Sequence, residues 1–160
     1  MKDRVRDVLG LVVSLTACYG AAVVGGLFTA GAVRDWYPTL AKPPWNPPAW
    51  VFGPVWTVLY GMMAVAVWLI WRQRRQRPVA APIALFAVQL ALNAAWSPLF
   101  FGLHRPDLAL ADIVLLWGAL AATVWLFFRR RALAGVLLTP YLLWVSFAAA
   151  LNFAIWRLNA

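Results

Sequence analysis

The sequence of 160 residues lacks most of the groups on which catalytic and metal sites depend. It contains no glutamate, and its acidic residues are five aspartates, at positions 3, 7, 35, 107 and 112. With one cysteine, Cys18, and one histidine, His104, neither an intrachain disulfide nor a metal site of these residues can be built. Only Asp107 lies near His104, so no Ser–His–acid group is credible, and no glycine-rich phosphate loop occurs. We therefore do not expect a conventional hydrolase, redox enzyme or nucleotide-driven pump.

The composition is that of a membrane protein. Hydrophobic residues make up 64% of the chain and charged residues only 12%, which is too apolar for an ordinary soluble domain. Lysine and arginine give a net charge of +9, but they lie in short clusters between apolar runs. That pattern orients membrane proteins, so we expect membrane lipid around the chain and no nucleic-acid partner.

Five apolar runs are each long enough to cross a bilayer, which takes roughly 20 residues. They cover about residues 8–29, 49–71, 79–101, 108–128 and 132–156, and most of the loops between them are short. The prediction is an all-α membrane protein, a five-transmembrane-helix bundle with antiparallel neighbours, in which residues 1–160 form a single domain. A lipoprotein signal ending at Cys18 is an alternative for the first run, but that run continues to Phe28.

The basic residues predict the orientation of the bundle. The N-terminus and the loops after the second and fourth spans would share one side, which carries Lys2, Arg4, Arg6, Arg72, Arg74, Arg75, Arg77, Arg129, Arg130 and Arg131. The other side carries only Arg34, Lys42, Arg105 and Arg157. Because the cytoplasmic side of a membrane protein holds the excess of Lys and Arg, we expect the first side to be cytoplasmic.

The loop between the first two spans, about residues 30–48, is rich in proline and aromatic side chains. Its prolines forbid a regular helix up to about Pro48, and Pro47 and Pro48 predict the start of the second helix. Irregular backbone cannot lie in hydrocarbon with its polar groups unpaired. We therefore expect this loop to lie outside the membrane and to cap one end of the bundle, above an internal space.

Polar residues inside the spans predict contacts within the bundle. Gln89, Asn93 and Trp96 follow i, i+4, i+7 spacing and share one helix face, where either interhelical hydrogen bonds or ligand contacts would explain them. Asp112 lies about one turn into the fourth span, and we expect a structural pairing with a neighbouring helix end.

Aromatic residues repeat at the same helical spacing. Trp56 and Tyr60 are one turn apart, and Trp144 begins a second i, i+4, i+7 series. Trp56, Trp96 and Trp144 lie deeper than the tryptophans at the span boundaries. Their flat faces suit either a large aromatic ligand or ordinary core packing.

Several segments resemble the translocator protein family, the tryptophan-rich sensory proteins, in the family's order and over nearly the whole chain. They are Trp36-Tyr37, Lys42–Pro48 (KPPWNPP), Trp56–Tyr60 (WTVLY), Gln89–Gly102 (QLALNAAWSPLFFG), Ala111-Asp112, Pro140–Trp144 (PYLLW) and Leu151-Asn152. The resemblance implies a five-helix bundle, usually a homodimer, with a pocket beneath the first loop that binds porphyrins and benzodiazepine-site ligands.

The resemblance also implies a set of ligand-binding residues. They are Trp36, Tyr37, Asn46, Phe52, Trp56, Tyr60, Asn93, Trp96, Trp144, Phe147, Ala148 and Leu151. Phe52 matches by alignment alone, as do Gly26, Gly53 and Val55. No metal or cofactor is required, and a porphyrin is expected as the ligand. We expect it to stack on the deep tryptophans without axial ligation, since His104 lies in the outer loop beside the mouth.

Three functional interpretations follow from the resemblance. The first is a porphyrin-binding sensor, carrier or scavenger. The second is an enzyme that degrades porphyrin with light and oxygen, for which Trp56 and Trp144 would be the catalytic candidates. The third is a sterol- or lipid-binding regulatory protein, but Phe153 replaces the tyrosine of the family's sterol motif, which is weak even when complete. The first interpretation is favoured.

Overall fold

Five long helices dominate the computed structural model, which describes residues 2–160, with side chains from residue 3 onward. They are α1 (Lys2–Asp35), α2 (Ala49–Trp71), α3 (Ala80–Ser97), α4 (Pro106–Arg130) and α5 (Ala132–Asn159). All five are long and apolar enough to cross a membrane, and residues 2–160 contain no β-strand. The predicted all-α membrane fold with five spanning helices is therefore confirmed.

The helices pack as a closed ring. α1 packs on α2, α2 on α5, α5 on α4, α4 on α3, and α3 returns to α1. A main core runs through this ring, and a second buried cluster around Phe100 and Leu151 lies at one end of it. Because α1 packs on both α2 and α3, the ring closes, and residues far apart in sequence meet around one interior.

Proline marks the start of α2, as the sequence predicts, and also the start of α4. α2 begins at Ala49, directly after Pro48, and α4 begins at Pro106, where a missing N–H costs nothing. α3 ends at Ser97 and continues into a π-helical turn, Pro98–Gly102, closed by a bond of 2.8 Å from the Leu103 N–H to the Pro98 carbonyl. This wider turn was not predicted.

The first helix is longer than the predicted span of residues 8–29. It runs to Asp35, because residues 30–35 contain no proline and continue the helix until the aromatic residues before Pro38. The irregular loop therefore covers only residues 36–48. We call the end of the bundle that carries this loop the aromatic end, and the opposite end, with residues 72–79 and Arg131, the basic end.

Candidate functional site

An irregular loop, residues 36–48, covers the aromatic end of the bundle. It opens with a 3₁₀ turn, Tyr37–Thr39, and the Lys42 ammonium donates to the carbonyls of Tyr37 and Leu40 at 2.7 and 2.6 Å. Asn159, at the end of α5, accepts from the Ala41 N–H and donates to the Ala41 carbonyl, both at 2.9 Å. The prolines prevent this segment from forming a helix, so its backbone N–H and C=O groups need other partners. The bonds from Lys42 and Asn159 supply them, and those from Asn159 also hold the loop against α5.

Tyr37 and Asn46 join the two halves of this loop. The Tyr37 hydroxyl donates to Asn46 Oδ1 at 2.7 Å, and Asn46 Nδ2 donates to the Pro47 carbonyl at 3.2 Å. Burial raises the pKa of Tyr37, and the hydrogen bond to Asn46 opposes that shift. The hydroxyl therefore stays protonated at neutral pH and keeps this bond.

Beneath the loop lies a cavity of about 490 Å³ to which all five helices contribute. Small-molecule sites usually occupy about 300–1,000 Å³ and are lined by apolar and aromatic side chains with few polar groups. This cavity fits that description, and Arg34 is the one ionic side chain among the described residues that line it. Another concavity, of about 470 Å³, is an open groove on the outer faces of α4 and α5. The cavity beneath the loop is therefore the candidate site.

Most of the ligand-binding residues implied by the family resemblance come together around this cavity. Those that line it are Tyr37, Phe52, Trp56, Tyr60, Asn93, Trp96, Trp144, Ala148 and Leu151. Of the positions matched by alignment alone, Gly26 and Gly53 also line it, whereas Val55 packs against the main core.

Three of the implied residues lie behind the lining. Trp36 meets the ring of Phe100 edge-on, with centroids 5.6 Å apart. Phe147 packs against Trp144 at 5.5 Å, and Asn46 is held by Tyr37. Each of them supports a side chain that lines the cavity.

The deep end of the cavity is closed by a buried hydrogen bond between two helices. The Tyr60 hydroxyl on α2 donates to Asn93 Oδ1 on α3 at 2.5 Å. Tyr19 of α1 lies against Tyr60, with ring centroids 6.4 Å apart, and its hydroxyl donates to the Thr57 carbonyl at 3.0 Å. Asn93 therefore makes the interhelical bond that its spacing allowed, while the Tyr60 ring still faces the cavity.

Trp96 forms a rigid wall. Its ring stacks on Phe100, with centroids 4.9 Å apart and planes 19° from parallel. Its Nε1 donates to Asn152 Oδ1 at 3.0 Å, and Asn152 Nδ2 donates to the Pro106 carbonyl at 2.8 Å at the start of α4. This chain joins α3, α5 and α4, and it leaves the indole with a fixed orientation and a satisfied N–H.

Trp56 and Trp144 complete the aromatic walls from α2 and α5. Trp56 lies 5.4 Å from the ring of Tyr60 and meets Tyr141 edge-on at 6.0 Å. Trp144 meets Phe52 edge-on at 5.9 Å. Because each indole is packed against further aromatic rings, the walls are largely formed before any ligand binds.

One face of α1 supplies a wall of which the family resemblance implied only Gly26. The α1 residues in the lining are Tyr19, Ala22, Gly25, Gly26, Thr29, Ala30, Val33 and Arg34. The small residues were a possible signal, but small residues four apart predict close helix contact. Gly25 does approach α3, since a Cβ there would lie 3.2 Å from Ser97 Oγ, whereas a Cβ at Gly26 would meet nothing within 4 Å.

The polar residues Gln89 and Asp112 lie in the core outside the lining. Gln89 is fully buried and Asp112 is 8% exposed. Within residues 3–160, both amide atoms of Gln89 and Oδ2 of Asp112 have no protein hydrogen-bond partner. The expected pairing of Asp112 with a neighbouring helix end was therefore wrong for the described part of the chain.

Two further features bear on ligand chemistry. No three His, Cys, Asp or Glu side chains come together as metal ligands within the described residues. In the sterol-motif segment of α5, Leu151 is buried and lines the cavity, whereas Phe153 is 51% exposed on the outside of the helix.

Comparison with known proteins identifies relatives over nearly the whole chain. The sequence profile of the TspO/MBR family matches residues 13–157. The tryptophan-rich protein TspO of Chlorobaculum tepidum is 42% identical over 158 residues, covering 96% of this chain and 98% of the relative. The human translocator protein is 43% identical, covering 85% and 82% of the two chains. The tryptophan-rich sensory protein of Cereibacter sphaeroides is also 43% identical, covering 91% and 88%.

Proposed function

This chain belongs to the TspO/MBR family, and we propose that it binds a porphyrin in the cavity beneath its aromatic loop, as a membrane sensor, carrier or scavenger. The observation that carries this proposal is the cavity of about 490 Å³ with indole walls on three helices. Flat aromatic ligands gain most from such walls, because stacking adds about 0.5–1.5 kcal/mol per aromatic pair beyond the burial of apolar area.

Recognition of the ring rather than of a bound metal is expected from the lining. The described lining residues include no histidine and no cysteine, and the Tyr60 hydroxyl already donates to Asn93. Metal-free protoporphyrin should therefore bind about as tightly as haem. Replacing Trp56 or Trp144 by alanine should weaken binding roughly 5- to 150-fold, from about 1–3 kcal/mol of lost stacking and burial.

A matched pair of glycines on α1 provides the sharpest test. Gly26 lines the cavity and Gly20 does not, yet a Cβ at either position would meet nothing within 4 Å. Gly26→Leu should fill part of the cavity and weaken protoporphyrin binding at least tenfold, whereas Gly20→Leu should leave it unchanged. The measurement is quenching of tryptophan fluorescence by protoporphyrin in mild detergent, after both variants are shown to melt as the parent does. Equal affinities for the two variants would refute binding in this cavity.

The orientation of the bundle is part of the same proposal. The basic end should be cytoplasmic and the aromatic loop outside, because the excess of Lys and Arg marks the cytoplasmic side. Asp35 and Arg75 are exposed at opposite ends, so each is replaced by cysteine in a Cys18→Ala background. An impermeant maleimide added to intact cells should label position 35 and spare position 75. The reverse result would overturn the orientation and leave the fold untouched.

We also propose a homodimer, as the family resemblance implies. The mass of the protein in mild detergent, measured by light scattering with the detergent contribution subtracted, should equal two chains of 17.8 kDa. A single-chain mass that persists at high protein concentration and in lipid nanodiscs would contradict it.

A further inference from the structure

A single charged side chain lines a cavity that is otherwise neutral. Arg34 lies in the last turn of α1, and none of the other described lining residues is Lys, His, Asp or Glu. Ion pairs are found at both ends of the bundle, but none within residues 3–160 involves Arg34. Its guanidinium is therefore available to an anionic group that enters the cavity.

The neighbouring cations of the aromatic end differ from Arg34. Lys42 is held by the carbonyl oxygens of its own loop at 2.6 and 2.7 Å. Arg105 makes two hydrogen bonds to Asp107, at 2.8 and 2.6 Å. None of Lys42, Arg105 and Arg157 lines the cavity, so a ligand inside it would meet Arg34 first.

The cavity is also polarised along its length. On α1 the lining runs from Tyr19, which packs against Tyr60 at the deep end, to Arg34 beside the loop. Fifteen residues of helix separate the two, which is about 22 Å at roughly 1.5 Å per residue. A ligand with an apolar edge and an acidic edge would therefore bind in one direction, with its acidic edge toward Arg34.

We propose that Arg34 is the carboxylate-binding residue of this cavity, so that the site selects flat aromatic macrocycles with acidic side chains along one edge. This inference rests on the proposed porphyrin binding and specifies its substrate class. Protoporphyrin carries two propionates on one edge, and a guanidinium can pair with a carboxylate through two parallel N–H···O bonds. The dimethyl ester has the same ring without the negative charges.

A structural role for Arg34 makes a different prediction. A cation in the last turn of a helix is stabilised by the partial negative charge of the terminal carbonyls. Loss of that interaction would lower the stability of α1 and would affect all ligands alike. A comparison of the diacid with its diester in each variant separates the two roles.

The experiment titrates protoporphyrin and its dimethyl ester into the wild-type protein, Arg34→Gln, Arg34→Lys and Arg105→Gln in a neutral detergent. Affinities are compared as variant-to-parent ratios for each ligand, so that differences in micelle partitioning cancel. Because Arg34 is exposed, part of its attraction is screened, and we expect Arg34→Gln to weaken diacid binding roughly three- to tenfold. Diester binding should be unchanged, Arg34→Lys should recover part of the loss, and Arg105→Gln should have no effect.

Two results would overturn the inference alone. One is an equal loss of both ligands in Arg34→Gln, and the other is no loss of either, while Gly26→Leu still blocks binding. Failure of both ligands to bind the parent protein would instead overturn the proposed function and this inference with it.

Discussion

The two ends of the bundle differ in how α1 meets the other helices. At the basic end a Cβ on Gly10 would lie 2.6 Å from Trp71 Nε1, so the indole of α2 packs directly on the backbone of α1. Toward the aromatic end a Cβ on Gly26 would meet nothing within 4 Å. The same residue type thus permits close contact at one end and leaves open space at the other.

Polar contacts reinforce the difference. At the basic end Trp68 Nε1 donates to the Asp7 carbonyl at 2.8 Å, and the Asp7 carboxylate pairs with Arg74 at 2.8 Å and Arg72 at 3.6 Å. Asp3 pairs with Arg75 beside them. At the aromatic end α1 offers the cavity a row of small side chains and Arg34 instead.

This contrast indicates how a five-helix bundle can hold an internal site. α1 is the least buried of the five helices, so its position depends strongly on a few contacts. A tight attachment at the basic end holds α1 against α2, and the wall at the aromatic end then need not be filled by packed side chains. Stability and ligand binding should therefore respond to changes at different ends of α1.

The largest effect is expected from Gly10→Ala, which would break the attachment at the basic end. The new Cβ must displace Trp71, and overpacking of this kind costs about 1–3 kcal/mol. Thermal unfolding in detergent should show a clear fall in Tm, while the protoporphyrin affinity of the folded protein should change less than about threefold.

Gly20→Ala is the matched control, since a Cβ there meets nothing within 4 Å. It should raise stability slightly, because alanine is favoured over glycine inside a helix by roughly 0.5–1 kcal/mol. Equal Tm values for Gly10→Ala and Gly20→Ala would contradict the assigned role of the Gly10 contact.

A smaller effect is expected from Asp7→Asn. The hydrogen bond from Trp68 Nε1 to the Asp7 backbone carbonyl would survive, but the side chain of residue 7 would lose its negative charge and both ion pairs with it. The loss should lower the free energy of unfolding by about 0.5–1 kcal/mol, because these side chains are partly exposed. The loss should shrink at high salt, since screening already weakens the pairs in the parent protein. Asp107→Asn is the control, because the Asp107 pair with Arg105 joins residues two apart and fixes no helix pair. An equal fall in Tm for Asp7→Asn and Asp107→Asn would mean that the attachment of α1 to α2 does not depend on the Asp7 carboxylate.

The fold was predictable because bilayer thickness sets the length of a spanning helix, and apolar runs of that length can be recognised in the sequence. Each apolar run of about 20 residues corresponds to one observed helix, and Pro48 marks the start of α2 as expected. The end of α1 was placed too early, since residues 30–35 look like a loop by composition but contain no proline to stop the helix.

The cavity was only partly predictable. Its tryptophans could be named from their spacing and from the family resemblance, but the spacing fixes a helix face and not its distance from the interior. Trp36, in the loop, and Phe147, on α5, lie behind the lining, although the family resemblance implies both as ligand-binding residues. Apart from Gly26, the α1 wall was missed because small residues four apart predict close helix contact rather than open space. Only the position of α3 separates Gly25 from Gly26.

The smallest effect is expected from His104→Asn, which tests whether the loop between α3 and α4 at the aromatic end takes part in ligand binding. His104 is exposed, adopts a left-handed backbone with φ of 54°, and stacks on Trp36 at 4.3 Å without lining the cavity. Asparagine tolerates this backbone, so the substitution removes the imidazole with little added strain.

Loss of the stacking contact should cost less than about 0.5 kcal/mol, because the ring is exposed. Affinities for haem and for metal-free protoporphyrin should both stay within about twofold of the parent values, since the ring and not the metal is recognised. A selective loss of haem affinity in His104→Asn would mean that the imidazole reaches the iron. In that case the loop between α3 and α4 would have to move over the mouth of the cavity. The aromatic end would then bind haem by ligation of its iron as well as by stacking on its ring.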